Sequence, residues 1–409
     1  MNLNTQNNFF VLLADAVAFS MFFTLWDVNT VIPLFLDYNG VPPWGIGSVA
    51  ALKQLSLLIP QLFMATQLWK LNKQISFIRK VMLLDRSQLL IFLIILLISC
   101  SGKTVLFFFI TSFTIFCFGE GLTQIPWWDL LSRTVNPKLR GRFWSIMQIA
   151  TGLAALCCGY AVAKIIDNPN FPYPSNFLLI FGAGIFLLLP SLFFYRLAGD
   201  PIITYDFTGR YKKPKIFDCL ADKDFVRLVI VQLLVNADLL ALPYYILSVH
   251  LSFPWLTKFT GSFVFLCIAG GILGGFIWGF LSDRKGNRKT IICVALCKTL
   301  TAGIFLSTQL VDSRAILPFL LGSGFVLSGM ATGGWLGFVN YIMDLTVENN
   351  RPFYIAFNNT ALLPLAVLPV VGGIIIENAG EIILYTTTLM TVFLGLIISF
   401  VLKEPRRNS

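Results

Sequence analysis

The stretch Phe259-Thr-Gly-Ser-Phe-Val-Phe-Leu-Cys-Ile-Ala-Gly-Gly-Ile-Leu-Gly-Gly-Phe-Ile-Trp-Gly-Phe-Leu281 contains no charged residue and runs into Ser-Asp283-Arg284-Lys-Gly286-Asn-Arg288-Lys289. About 20 mostly apolar residues are needed for a helix to cross roughly 30 Å of hydrocarbon. A membrane-length run followed at once by a basic turn therefore reads as a span with its end on the cytoplasmic side. The rest of the chain repeats that pattern. Of 409 residues 56% are hydrophobic and 12% charged, where a soluble domain carries about 25% charged residues.

By the same measure there are twelve spans: Phe9–Leu36, Gly45–Trp69, Val81–Cys100, Val105–Trp127, Phe143–Ile166, Phe177–Leu197, Val226–Leu247, Phe259–Leu281, Ile291–Leu310, Ile316–Met343, Tyr354–Ile376 and Ile382–Leu402. The net charge of +10 does not form a nucleic-acid stripe. Basic residues instead cluster on alternate loops, among them Lys70, Lys73, Arg79 and Lys80, then Arg133, Lys138, Arg140 and Arg142. Only Lys103, Lys258 and Arg314 fall on the opposite side. Basic loops stay cytoplasmic, so both termini are expected inside a bacterial cytoplasmic (inner) membrane. Cysteine spacing suggests neither a disulfide framework nor a zinc site, and no cofactor motif is present.

The longest polar segment divides the chain into an N-terminal six-helix bundle (1–197), a cytoplasmic linker (198–225) and a C-terminal six-helix bundle (226–409). An offset of about 210 residues sets Arg79-Lys80 on Arg288-Lys289, and Asp129 and Arg140 on Asn340 and Arg351. The halves thus read as a weak parallel repeat. The fold class is all-α integral membrane, with twelve transmembrane helices in two pseudo-symmetric bundles.

The turn Gly279-Phe-Leu-Ser-Asp283-Arg284-Lys-Gly286-Asn-Arg288-Lys289 resembles the loop signature of the major facilitator superfamily. Pro126-Trp127-Trp128-Asp129-Leu-Leu-Ser132-Arg133 with Arg140-Gly141-Arg142 is similar to the fourth loop in poorly described bacterial branches of it. Asn358 and Asn359 with Pro369 and Gly372-Gly373 resemble their eleventh span. The resemblance implies secondary active transport of a small solute by rocking of two bundles about a midplane site, and a cytoplasmic gate at Gly279, Asp283, Arg284 and Gly286. Here the glycines are expected to allow a tight turn and close helix contact, and Asp283 is the expected gate residue. Asp129, Arg133 and Arg140 read as a further gating network. Three departures stand out. Lys70 and Gln74 replace the loop's Gly and Asp in the first half, Thr114 stands where proton-linked members place an arginine, and the fifth span lacks the Gly-Pro-x-x-Gly-Gly pattern of drug antiporters.

An ionisable group inside a span is a functional candidate by default. By family architecture Glu120, in the fourth span, and Asp238, in the seventh, line the cavity. Gln124 shares a helical face with Glu120, while Asn236 is expected to point away from Asp238. For Glu120 two readings stand open, a proton carrier or substrate contact, and a structural partner of Lys53 or Gln124. Asp27 is either hydrated near the outer end or part of a cavity wall with Trp26 and Thr30. Asp15 reads as a packing or loop contact, and Arg86, Lys164 and Lys298 as pairing or snorkelling groups. Trp335, with Tyr244, Tyr245, Trp127 and Trp128, offers rings for a sugar or aromatic substrate, and Asn358 is a further pathway candidate. The expected partners are a small-molecule substrate, the lipid bilayer and protons, with no nucleic acid, and the chain is expected to act as a monomer. A receptor that no longer transports and a lipid flippase are alternatives. An enzyme is not expected, since no His, Cys or Ser cluster has catalytic spacing.

Overall fold

The computed structural model describes the backbone of residues 3–67, 71, 73–98, 102–134, 140–197, 216–346 and 351–405. Most of the expected linker, 198–215, lies outside these residues. Contacts divide the chain into two compact units, Met1–Val41 with Leu52–Arg210, and Pro42–Ala51 with Tyr211–Ser409.

The first unit contains α1 (Leu3–Leu25), α2 (Val31–Tyr38), most of α3 (Pro43–Gln67), α4 (Gln74–Ile98), α5 (Gly102–Thr134), α6 (Arg140–Ile166), α7 (Ser175–Leu188) and α8 (Pro190–Leu197). The second contains α9 (Ile216–Ala221), α10 (Lys223–Val235), α11 (Tyr244–Ser252), α12 (Thr260–Lys285), α13 (Asn287–Thr308), α14 (Leu317–Thr332), α15 (Trp335–Leu345), α16 (Arg351–Ala361) and α17 (Leu368–Ser399). Nine helices among the described residues are individually long and apolar enough to cross a membrane. They supply spans three to twelve, because Phe357–Ser399 is two spans joined at Gly380, where φ is 83°. The first two spans are α1 with α2, and α3.

Several runs read as continuous are broken. The first span stops at Leu25, and Asp27 organises the turn by accepting hydrogen bonds from Asn29 N (3.0 Å) and Thr30 Oγ1 (2.8 Å). The seventh leaves the α-helix at Val235 for a 3₁₀ turn, Asn236–Leu240, just before Pro243. Proline has no N–H for the helical ladder, so a break there costs little. The tenth is interrupted at Gly333-Gly334, whereas the eighth, equally rich in glycine, is one unbroken helix. A stripe of its glycines lies against another backbone: a Cβ on Gly270 or Gly274 would strike the main chain of Val326 or Met330. Close helix approach of this kind replaces the hydrophobic driving force that lipid removes.

The first unit is packed around Trp26, which is fully buried. Its ring stacks on Phe22, Phe109 and Phe113 with centroids 5.2, 5.9 and 5.9 Å away, and its Nε1 donates to Phe181 O at 3.3 Å. Trp26 is therefore core and not the cavity wall the sequence suggested. In the second unit Tyr245 stacks on Phe305 at 3.9 Å.

Candidate functional site

Arg86, on α4, is 1% exposed. Its Nη2 lies 3.9 Å from Asp15 Oδ1 on α1 and 3.5 Å from Glu120 Oε1 on α5. A third carboxylate, Asp85, is buried beside it and packs against Gly119, which has no side chain to occupy that space. Asp15 Oδ2 accepts from Trp127 Nε1 at 3.1 Å and from the Tyr195 hydroxyl at 2.9 Å. Asp15 Oδ1, both Asp85 oxygens, Glu120 Oε1 and all three guanidinium nitrogens have no hydrogen-bond partner among the described residues. Burying polar atoms in that state is costly.

A cavity of about 320 Å³ adjoins these acids, lined by Asp15, Glu120, Thr123, Gln124, Trp127 and Trp128 among others. Four of these, Glu120, Thr123, Gln124 and Trp127, follow the spacing that keeps one face of a helix together. Several lining hydroxyls are already committed to backbone carbonyls. Ser20 Oγ donates to Thr151 O (3.3 Å), Thr123 Oγ1 to Glu120 O (3.2 Å) and Thr151 Oγ1 to Met147 O (2.8 Å).

The second unit has a simpler arrangement. Lys298 Nζ, on α13, donates to Asp238 Oδ1 at 2.9 Å and to Asn236 Oδ1 at 2.7 Å. The 3₁₀ turn brings both acceptors to one ammonium, which corrects the expectation that Asn236 points elsewhere; α-helical spacing does not apply at this break. The Tyr245 hydroxyl is buried without a partner among the described residues.

Other candidates fall in varied places. Glu120 meets Arg86 and not Lys53 or Gln124. Lys53 makes no ion pair among the described residues, and its Nζ sits over the Phe23 ring, 4.6 Å from the centroid. Gln124 Oε1 accepts from Gln61 Nε2. Asp27 is committed to the α1–α2 turn, Trp335 is 58% exposed, and Asn358 is buried with its Oδ1 unpartnered among the described residues. Lys164 lies 5.6 Å from the Tyr160 ring centroid. Arg86 and Lys298 do not snorkel, and Asp15 is no loop contact, because helix packing turns all three inward.

At the gate turn, Gly286 has φ of 88°, a conformation that favours glycine. Gly279 has open space where a Cβ would stand, so no close helix contact requires it. Asp283 is exposed and makes no ion pair among the described residues, and Arg284 lies over the Phe280 ring at 4.2 Å. The turn is held by other residues. Asn287 Nδ2 donates to Asp344 Oδ2 at 2.5 Å, Arg288 N to Glu404 Oε2 at 3.1 Å, and the Arg288 guanidinium to Phe400 O at 2.8 Å. In the first unit Gln74 Nε2 donates to Asp129 Oδ2 at 2.6 Å. The side chains of Arg133 and Arg140 lie outside the described residues.

Asp85, Gln74, Asn287, Asp344 and Glu404 are absent from the candidates drawn from sequence. A signal for Asp85 exists, an Asp-Arg pair within an apolar run. For Gln74 and Asn287 the signal is positional, since each is the first residue of the helix, α4 or α13, that carries the third span of its unit.

Residues 239–409 match the family model described as Major Facilitator Superfamily. No curated protein matches the chain by sequence. Among solved structures, a point mutant of the nucleoside transporter NupG matches with a TM-score of 0.73 and 11% identity over 97% of this chain and 98% of its own. A D-xylose-proton symporter gives 0.70 and 12% over 98% of each chain. A bacterial homologue of the iron transporter ferroportin, inward-facing, gives 0.68 and 16% over 98% and 99%. At such identities the likeness concerns the fold. With the twelve-span architecture it gives the chain the fold of these transporters, and the match to the Major Facilitator Superfamily model stands for residues 239–409.

Proposed function

We propose that the chain is a secondary active transporter that moves a small solute by alternating access and draws on a proton gradient, within a cytoplasmic membrane and with both termini inside. In this reading the halves joined by the linker 198–225 are the moving bodies. One observation carries it: two buried carboxylic acids at the wall of a cavity, Asp15 and Glu120, share the Arg86 guanidinium, and a third, Asp85, is buried next to that arginine in the chain. A single cation balances a single carboxylate, and a further ionised acid out of water is expensive. The least costly way to hold the remaining acids is as protonated groups. A site that must carry protons and adjoins a solute-sized cavity can load and release both as access alternates.

Glu120, Asp238, Gln124, Lys53, Asp27, Trp335 and Asn358 are the proposed pathway positions. The two amide–carboxylate pairs, Gln74 with Asp129 in the first unit and Asn287 with Asp344 at the Asp283 turn of the second, are proposed to act as gate clasps. Reconstituted protein in vesicles with an imposed pH gradient should accumulate its solute, and collapsing the gradient with an ionophore should release it. Accumulation that is indifferent to the gradient would overturn proton coupling. Failure of any solute in a broad screen to move would favour the receptor alternative.

A further inference from the structure

We propose that the cavity of the first unit takes uncharged aromatic solutes of one or two rings that carry a hydrogen-bond acceptor. The class rests on the transport reading above, whose solute it specifies. The charged groups of the wall are spent on one another. Asp15 Oδ1, Glu120 Oε1 and all three guanidinium nitrogens have essentially no exposed surface, and the two oxygens face Arg86 Nη2 at 3.9 and 3.5 Å. Arg86 balances one carboxylate and the remaining acids hold protons, so the wall has no spare charge of either sign. An ion entering the cavity would give up its water without gaining a counter-charge, a cost that an uncharged molecule does not meet.

Few neutral polar groups are left over. The hydroxyls of Ser20, Thr123 and Thr151 donate to backbone carbonyls, and Trp127 Nε1 donates to Asp15 Oδ2 at 3.1 Å. A polyol wants donors and acceptors alternating along the wall, which this wall does not offer. The Gln124 amide differs: the side chain is exposed, its Oε1 accepts from Gln61 Nε2, and its own Nε2 donates to no group among the described residues. It can serve an acceptor on the solute. The rest of the wall suits a flat apolar body. Trp127 and Trp128 stand edge to face, 85° apart in plane with centroids at 5.5 Å, so a ring stacked on one meets the other edge-on, and both arrangements are favourable. The hydrogen bond to Asp15 fixes the Trp127 indole before any solute arrives, while Met82 and Met147 bring adaptable thioethers. The volume, about 320 Å³, lies at the lower end of the range for small-molecule sites, which limits the occupant to a small ring system.

Purified full-length protein in detergent should be titrated with 2-naphthamide and its charged counterparts 2-naphthoate and 2-naphthylmethylammonium, with D-xylose alongside. The amide should bind about tenfold or more tightly than either ion. Trp128→Ala should weaken it several-fold through lost stacking. Gln124→Leu should also weaken it several-fold and spare 2-methylnaphthalene, which has no acceptor. Both side chains are exposed, so the variants should fold, and their micelles correct for compound dissolved in detergent. Should a variant fail to fold, the comparison of amide with ions on the native protein decides alone. Equal or tighter binding of either ion or of xylose would overturn the class, as would an unchanged affinity in Trp128→Ala. An uncharged solute coupled to a proton carries net charge across the membrane, so its movement under a pH gradient should change several-fold with an imposed membrane potential. Movement driven by pH but indifferent to potential would overturn the class and keep the transport reading. Naphthamide that binds yet is never moved by vesicles under a pH gradient would sink the transport reading and spare the binding site.

Discussion

Each unit buries one cation on its third span and sets it against a carboxylate on its first: Arg86 with Asp15, Lys298 with Asp238. The resemblance ends there. Lys298 meets a single acid at 2.9 Å, with the Asn236 amide oxygen completing its coordination, and the charges cancel. Arg86 meets two acids at longer range with a third beside it, and most of the polar atoms involved are unsatisfied among the described residues. A closed pair holds helices together. An open cluster holds them less well and keeps room for protons and a ligand, so proton exchange is expected in the first unit, while Asp238 serves the pathway of the second as half of a closed structural pair.

Removal of the cations tests this contrast most severely. Arg86→Met should lower the unfolding temperature markedly and abolish gradient-driven transport, since deleting one partner of a buried ion pair costs about 3–5 kcal/mol. Thermal unfolding in detergent and vesicle uptake would measure the two effects, and a mild phenotype in both would place the centre elsewhere. Glu120→Gln should keep the fold while reducing uphill transport about tenfold, a share typical of a positioned acid–base group. Exchange of solute at equal concentration on both sides should survive that change.

The second unit should respond differently. Asp238→Asn alone should destabilise and thereby weaken transport, and pairing it with Lys298→Met should recover most of the loss, because a one-to-one pair can be replaced by neutral groups of similar volume. A double variant that folds well yet transports nothing would give the second unit a chemical part and erase the distinction drawn above. Smaller effects belong to the clasps. Gln74→Leu and Asn287→Leu should each cost about 1 kcal/mol by removing one hydrogen bond to a carboxylate that is half-buried at Asp129 and exposed at Asp344. Similar losses in both would support the repeat, and unequal ones would show that a single unit depends on its clasp.

The mildest effect is set by pH. Glu381, in the turn between the last two spans, accepts from Gln309 Nε2 at 2.6 Å and from Ser252 Oγ at 2.9 Å, and burial pushes its carboxyl up from 4.5 to about 7. Folding thus binds this proton more tightly than the unfolded chain does. The associated stability is full below about pH 4.5 and is lost as pH rises through about 7. Glu381→Gln should flatten the dependence of the melting temperature over that window, with the sharpest change midway between the two values. An unchanged slope would assign the dependence to other groups.

Much of the site is legible in the sequence as residue type and little of it as partnership. Glu120, Asp238, Arg86 and Lys298 stand out because ions in apolar runs are rare. Their pairing does not, because Asp15, Arg86 and Glu120 converge from three separate helices. The offset of the repeat misleads here, since it sets Asp27, the capping residue of a turn, opposite Asp238. At the Asp283 turn the sequence marks Gly286, whose φ of 88° favours glycine, but the turn's holding contacts come from Asp344 and Glu404, far along the chain.

The sequence by itself determined that the chain spans the membrane, roughly where each span lies and which residues carry charge inside it, because hydrocarbon imposes length and polarity on every segment separately. Tertiary structure alone decided where the spans break, which acids share which cation and which residues line the cavity. Those outcomes depend on rotation and approach of neighbouring helices, and apolar periodicity in lipid, where every face is greasy, does not encode them.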